Sequence, residues 1–386
     1  MEHDSLLFSF FLIFTGAAVL STAALFMRQP LLVAYIVVGV LLGPFGMEYI
    51  SDPSLLTDIA EFGIIFLLFL LGLDMQPSKL FATLKKTFLV TLASSLIFVL
   101  IGYGTGLLFE FSQMESLVIG FAMIFSSTII GIKLLPTTVL HQKHMGELMV
   151  GILLLQDFIA IFILVFLESG NQEDLGTLRV LLALPVLIGL TYLCTRFLLI
   201  ALIAKFDQFR EYIFLLAIGW CLGIATLAAE IGLSAEVGAF VAGVSLATNP
   251  ISQYIAYSLK PLRDFFLVLF FFSLGAQFNI NLLSEILLPA LLLAALALSV
   301  KPVIFHYLLR RFSERNRLAW DAGLRLGQIS EFSLLIAFVA FQYNVIGERA
   351  SLLIQGAAIL TFLVSSYIVV LFCPTPIALS SKLRRD

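Results

Sequence analysis

Stretches of about twenty apolar residues recur along the whole chain, divided by short polar clusters, and each can cross the hydrocarbon core of a bilayer as a helix. Barrel strands would be half as long and would alternate apolar with polar residues. Hydrophobic residues make up 61% of the sequence and charged residues 12%, roughly half the charged share of a soluble protein. Too few charges remain to build a polar shell, so lipid must be the solvent. The expected class is an all-α membrane protein of about thirteen transmembrane helices, over residues 6-26, 31-47, 57-74, 87-109, 116-140, 148-168, 178-203, 212-230, 233-247, 263-279, 281-309, 317-342 and 349-373. The first run, Leu6 to Phe26, follows Glu2, His3 and Asp4 instead of a basic region and has no small-residue cleavage site after it, so it reads as a retained helix. Cys194, Cys221 and Cys373 fall inside apolar runs without metal-ligand spacing. No glycine-rich phosphate loop follows a strand, and neither an enzyme nor a cofactor is indicated.

An odd number of spans places the termini on opposite sides. Arg28, Lys79, Lys85, Lys86, Lys143, Lys205, Arg210, Lys260, Arg263, Arg310, Arg311, Arg315, Arg317, Lys382, Arg384 and Arg385 then share one side, whereas only Arg179 and Arg349 reach the other. The positive-inside rule makes the C-terminus cytoplasmic and the N-terminus external, as in a multi-pass cell (inner) membrane protein. A missed or invented helix would scramble this alternation.

The chain also repeats itself. Val33 to Val40 in the second helix matches Val237 to Val244 in the ninth, at an offset of 204. Phe62 to Gly72 in the third matches Phe265 to Gly275 in the tenth, at an offset of 203. Equivalent segments lie seven helices apart, so they cross the membrane in opposite directions, as in an inverted-topology repeat. Helices one to six and eight to thirteen form the two repeats, with helix seven (178-203) as linker, in a transmembrane domain over 1-380 followed by a basic cytoplasmic tail over 381-386. Carried onward, the offset pairs Ser126-Ser127-Thr128 with Ile329-Ser330-Glu331, two polar interruptions in apolar runs. Paired interruptions of this kind commonly mark helices broken near the midplane, with backbone groups facing an ion cavity; the alternative is that Ser and Thr merely back-bond or join helices.

Asp157 lies nine residues into helix six and so near mid-bilayer. An ionised carboxylate there costs several kcal/mol when unpaired, which makes a functional role the default reading. Such a group holds either a proton or a cation, and mutual exclusion of the two is sufficient for exchange if the site opens to each side in turn. Gln156 adds a neutral amide that serves either as an oxygen ligand or as an interhelical hydrogen bonder, and Ser127 and Thr128 offer hydroxyls. Lys301 reads as a buried ammonium that offsets the ends of broken helices or Asp157 itself, against a snorkelled alternative. Glu331 is a second candidate ligand or, beside a helix break, a dipole-compensating charge. Lys133 and Arg325, nearer the cytoplasmic ends, read as snorkelled or inner-gate residues.

These residues stand in a series of ordered motifs: Gly39-Val40-Leu41-Leu42-Gly43-Pro44, Phe66 to Leu73, Phe125-Ser126-Ser127-Thr128, Leu155-Gln156-Asp157, Gly238 to Gly243, Pro261 to Phe266 and Gly327-Gln328-Ile329-Ser330-Glu331-Phe332. The series resembles the monovalent cation:proton antiporter-2 family, most closely its Kef potassium efflux systems, over nearly the whole chain. The resemblance implies a sodium/proton antiporter-like fold with crossed, discontinuous helices five and twelve, a homodimer, and an elevator-like shift of a core against a dimer domain. It carries the ion-binding aspartate onto Asp157, the helix-five hydroxyls onto Ser126, Ser127 and Thr128, and the helix-eleven lysine onto Lys301; the candidate ion-binding set is completed by Gln156, and charge compensation or gating is expected of Lys301, Glu331, Gln328, Lys133 and Arg325. Relatives with two neighbouring acids on helix six are electrogenic, whereas Gln156 leaves one acid here, so the resemblance points to electroneutral exchange of K+, or Na+, for H+. Kef proteins continue into a cytoplasmic regulatory domain that these residues do not include. A gated cation channel and a sodium-coupled solute symporter are the alternatives from other classes.

Overall fold

The computed structural model describes residues 6–27, 29, 31–50, 54–74, 77–127, 144–169, 174–206, 208–231, 233, 235–312 and 314–373, and all regular structure among them is helical. In chain order the helices are α1 (Leu6–Phe26), α2 (Leu31–Leu42), α3 (Ser54–Asp74), α4 (Pro77–Leu108), α5 (Gln113–Ile124), α6 (His144–Ser169) and α7 (Asp174–Cys194). A π-helical turn, Thr195–Leu199, carries α7 on into Ile200–Lys205. There follow α8 (Arg210–Glu230), α9 (Ala235–Ala247), α10 (Ile251–Ala276), α11 (Leu283–Arg311), α12 (Asn316–Arg325), α13 (Glu331–Gln342) and α14 (Glu348–Phe372). Six helical segments among the described residues are long and apolar enough to cross a membrane.

The packing divides into two groups. α1, α2, α3, α8, α9 and α10 pack among themselves, and so do α4, α5, α6, α11, α12, α13 and α14; α7 lies against α9. Contacts between the groups are sparse by comparison.

Several helices differ from their expected spans for identifiable reasons. The expected helix 31-47 stops at Leu42, because Gly43-Pro44 turns the chain and Glu48 takes a positive φ of 57°. The expected helix 263-279 begins at Ile251 and runs through Pro261. Its added turns are amphipathic, with Ser252, Ile255 and Leu259 buried at helical spacing, so an apolar-run criterion passes over them. The expected helix 317-342 is two helices, α12 and α13, separated at Leu326 to Ser330. In the expected helix 116-140, α5 ends at Ile124 and Phe125 to Ser127 are non-helical; residues 128 to 143 lie outside the described residues.

Glycines set the tightest crossings. A Cβ on Gly39 would overlap the Phe272 carbonyl and stand 2.9 Å from the Gly275 Cα; one on Gly243 would overlap the Phe69 carbonyl and stand 2.9 Å from the Gly72 Cα. These are the same contacts displaced by 203 or 204 residues. The correspondence extends to the other group: a Cβ on Gly120 would lie 2.6 Å from Val99 O, and one on Gly323 would lie 2.6 Å from Pro302 O. In both packing groups, then, residues at a constant offset occupy matching positions.

Candidate functional site

Two chain breaks lie side by side in the second group. At the first, α5 gives way to extended backbone at Phe125 (φ −78°, ψ 144°). At the second, α12 ends and α13 begins, with Ser330 as N-cap: its hydroxyl accepts from Phe332 N at 3.2 Å, and its own N–H donates to Ser333 Oγ at 3.4 Å. Helix ends leave orphan N–H and C=O groups that, away from water, must find partners. Each break supplies partners for the other. Ser126 Oγ donates to Leu326 O (2.8 Å), Gln328 Nε2 to Ser127 O (3.3 Å) and Ser333 Oγ to Ala122 O (2.7 Å).

Lys301 of α11 closes this junction. Its fully buried ammonium donates to Phe125 O at 2.8 Å and to Gln328 O at 2.9 Å. The two carbonyls are 203 residues apart, so they are equivalent positions on the two breaks. The ammonium also sits 5.1 Å from the centre of the Phe98 ring, and Phe98 is the residue equivalent to Lys301 at the same offset. A single cation thus stands between the carbonyl ends of two half-helices, where cations are favoured. Its bonds go to those ends, and among the described residues it makes no ion pair with Asp157.

Gln156 and Asp157 are buried neighbours on α6 with different surroundings. The Gln156 amide clasps the end of α5: Oε1 accepts from Ser126 N and Nε2 donates to Ile124 O, each at 3.0 Å. The second break has its own clasp, Thr361 of α14, whose Oγ1 accepts from Ile329 N at 3.1 Å. Asp157, about 100° further round the helix, is 4% exposed and makes no hydrogen bond or ion pair among the described residues.

The remaining predicted residues are placed as follows. Ser126, Ser127 and Gln328 lie in the junction, and Gln328 also accepts from Ser365 Oγ at 3.2 Å. Thr128 and Lys133 lie outside the described residues. Glu331 opens α13, at the helix end that favours an anion. Arg325 does not snorkel: it is fully buried in the last turn of α12 and pairs with Asp321 at 3.0 Å. Ser333, Thr361, Asp321 and Phe98 were not anticipated. The repeat offset applied to Gln156 and Lys301 would have pointed to Thr361, within a residue or two, and to Phe98.

Chemically, the site pairs satisfied backbone ends with an enclosed carboxylate that, among the described residues, makes no ion pair with the lysine. Such a carboxylate can carry a small cation or a proton without disturbing the junction around it. A family model described as "Sodium/hydrogen exchanger, transmembrane" matches residues 10–373. The chain is 30% identical over 369 residues to K(+) efflux antiporter 6 of Arabidopsis thaliana, covering 92% of this chain and 61% of that protein. It is 28% identical over 363 residues to the putative cation/proton antiporter YbaL of Escherichia coli (strain K12), covering 90% of this chain and 65% of that one. It therefore spans less than two thirds of the length of either relative. Among solved structures, the sodium proton antiporter MjNhaP1 from Methanocaldococcus jannaschii superposes with a TM-score of 0.66 at 16% identity, covering 95% of both chains, which establishes the fold.

Proposed function

Because the chain belongs to the transmembrane sodium/hydrogen exchanger family, we propose that it exchanges a monovalent cation, K+ in preference to Na+, for H+ through the single carboxylate of Asp157. The observation that carries this reading is the contrast between the two neighbours on α6. Gln156 is committed to the end of α5, whereas Asp157 is enclosed and without a protein partner among the described residues. An enclosed carboxylate needs a counter-charge, and a proton or an alkali cation supplies it equally well. Either ligand leaves the site neutral, so a one-for-one cycle moves no net charge. We assign the rest of the oxygen shell that an alkali ion requires to the Ser127 hydroxyl, to water and to Thr128, which lies outside the described residues. Among the described residues no three His, Cys, Asp or Glu side chains cluster as a divalent transition-metal site would require. The K+ preference rests on the resemblance to Kef systems and on the potassium efflux antiporters among the relatives.

Further proposals concern the whole assembly. Equivalent contacts at a constant offset support two inverted repeats, with α12 and α13 as one interrupted span in a set of thirteen. Sparse contacts between the packing groups support an elevator-like shift in which the group bearing Asp157 slides against the other. A homodimer in the inner membrane, N-terminus outside and C-terminus cytoplasmic, completes the proposal.

Reconstituted protein should acidify or alkalinise the vesicle lumen in response to an outward or inward K+ gradient, with a rate that does not change when the potential is clamped. Asp157→Asn should abolish that flux while retaining the parental melting temperature to within a few degrees. Exchange by this variant at the parental rate would sink the single-carboxylate mechanism, and flux driven by voltage alone would indicate a channel.

A further inference from the structure

α14 holds the crossing with one face and the other packing group with the next. On the first face Thr361 Oγ1 accepts from Ile329 N at 3.1 Å and, one turn on, Ser365 Oγ donates to Gln328 Oε1 at 3.2 Å. The two residues that follow reach across. Ser366 Oγ donates to Gln29 Oε1 and Tyr367 Oη donates to Met27 O, each at 3.1 Å. Met27 and Gln29 lie between α1 and α2, helices of the group without Asp157. Gln29 and Ser366 are both buried, so their bond is shielded from solvent. Through Ser366, Ser365 and Gln328 it is continuous with the junction, because Gln328 also donates to Ser127 O and offers its carbonyl to Lys301.

The bond between Ser366 and Gln29 is one that can be released. The serine hydroxyl has one proton and two acceptors, Gln29 Oε1 and, at 3.0 Å, Leu363 O of its own helix. It can let go of Gln29 without stranding that proton. The Gln29 amide is only half used, since its buried Nε2 has no partner among the described residues. We propose that the α1–α2 turn and α14 form a latch that fixes the two packing groups in the register seen here and opens each time Asp157 passes between the two faces of the membrane. This inference rests on the exchange reading above and on its sliding groups. A displacement of about 1 Å already carries a 3.1 Å bond out of hydrogen-bonding range, so sliding breaks both bonds of the latch. Thr361 and Ser365 instead travel with the break they hold. Gln29, Ser366 and Tyr367 are therefore positioning residues, which act through the register of the groups and not on the ion.

The test reads that register directly, as distances between spin labels in proteoliposomes by double electron–electron resonance. The labels are placed at Tyr257→Cys of α10 and Tyr307→Cys of α11, side chains 78% and 68% exposed, in a Cys194→Ala background; Cys221 and Cys373 are buried. Labelled protein is diluted with unlabelled protein so that each distance lies within one chain. Gln29→Ala and Ser366→Ala should each lower the ratio of the register seen here to the displaced one by roughly three- to tenfold. The double variant should go no further than the larger single effect, because both substitutions remove the same bond. Ser366→Thr keeps the hydroxyl and should retain the parental distribution. Alanine variants whose distances superimpose on the parental ones overturn the proposal. So does a threonine variant that shifts as far as Ser366→Ala, which would be an effect of shape, or a double variant that shifts by the product of the two singles. Should Gln29→Ala lack a melting transition, Ser366→Ala beside Ser366→Thr decides by the same criteria. The distances need no flux, so Asp157→Asn separates the two levels: K+/H+ exchange surviving in it removes the exchange reading, whereas its loss together with unmoved distances in the latch variants removes only the latch.

Discussion

At the scale of single residues, Lys301 and Gln156 show how a polar site is kept intact in lipid. An ammonium buried without partners would cost several kcal/mol, and Lys301 meets that cost by serving two carbonyls that no helical N–H can reach. Lys301→Met fills the same volume but strands both carbonyls, each worth roughly 1–3 kcal/mol. The variant should melt well below the parent in detergent, and a melting temperature within a degree or two would show that the carbonyls find other donors. Lys301 was legible in the sequence, because a charge deep in an apolar run demands a partner. The commitment of Gln156 was not. Neighbouring residues on a helix share composition and depth, and only their different angular positions make one a clasp and leave the other enclosed.

At the scale of helices, the apolar runs revealed the spans but not their ends or interruptions. The break between α12 and α13 falls in a window that stays apolar on average, so a hydropathy criterion reads straight through it; the polar Ser330-Glu331 step was the visible sign. The first twelve residues of α10 were missed for the opposite reason, since their burial is one-sided. The glycine crossings are sharper than any pattern of apolar residues. Gly39→Ala or Gly243→Ala places a methyl against backbone, which cannot yield as a side chain can. Each should destabilise by more than the roughly 1–3 kcal/mol of ordinary overpacking, seen as loss of monodisperse protein on size exclusion. Gly104 of α4 has open space where its Cβ would stand. Gly104→Ala should be tolerated and, by removing a helix-interior glycine, raise stability by roughly 0.5–1 kcal/mol.

At the scale of the whole molecule, the loop before α5 is tied to the start of α14. Glu115 Oε2 accepts from Ser112 N at 3.0 Å, Oε1 accepts from Gly347 N at 3.1 Å, and Arg349 lies nearby, 4.8 Å from the centre of the Phe111 ring. Partial burial opposes ionisation of this carboxyl, but the hydrogen bonds from Ser112 and Gly347 and the charge of Arg349 outweigh it and hold its pKa below the ordinary value of 4.5. A depressed carboxylate stabilises the fold fully above its unfolded pKa and loses that contribution as pH falls through its folded one. Parent and Glu115→Gln should therefore differ in melting temperature near neutrality and converge below about pH 4; a constant gap across that range would show that the charge is not what matters. The tie joins residues 232 positions apart, and nothing in local composition announces it.

The equivalence of Lys301 and Phe98 limits how symmetrical such a chain can become. The two residues are 203 positions apart, matching positions under the repeat proposed above, and they touch each other, ammonium over ring. A protein with two identical halves could not be built on this crossing. Lysine in both places would press two ammonium groups together, and phenylalanine in both would leave both carbonyls bare. Any engineered version assembled from a duplicated half would need this one position to differ between the copies before the crossing could close.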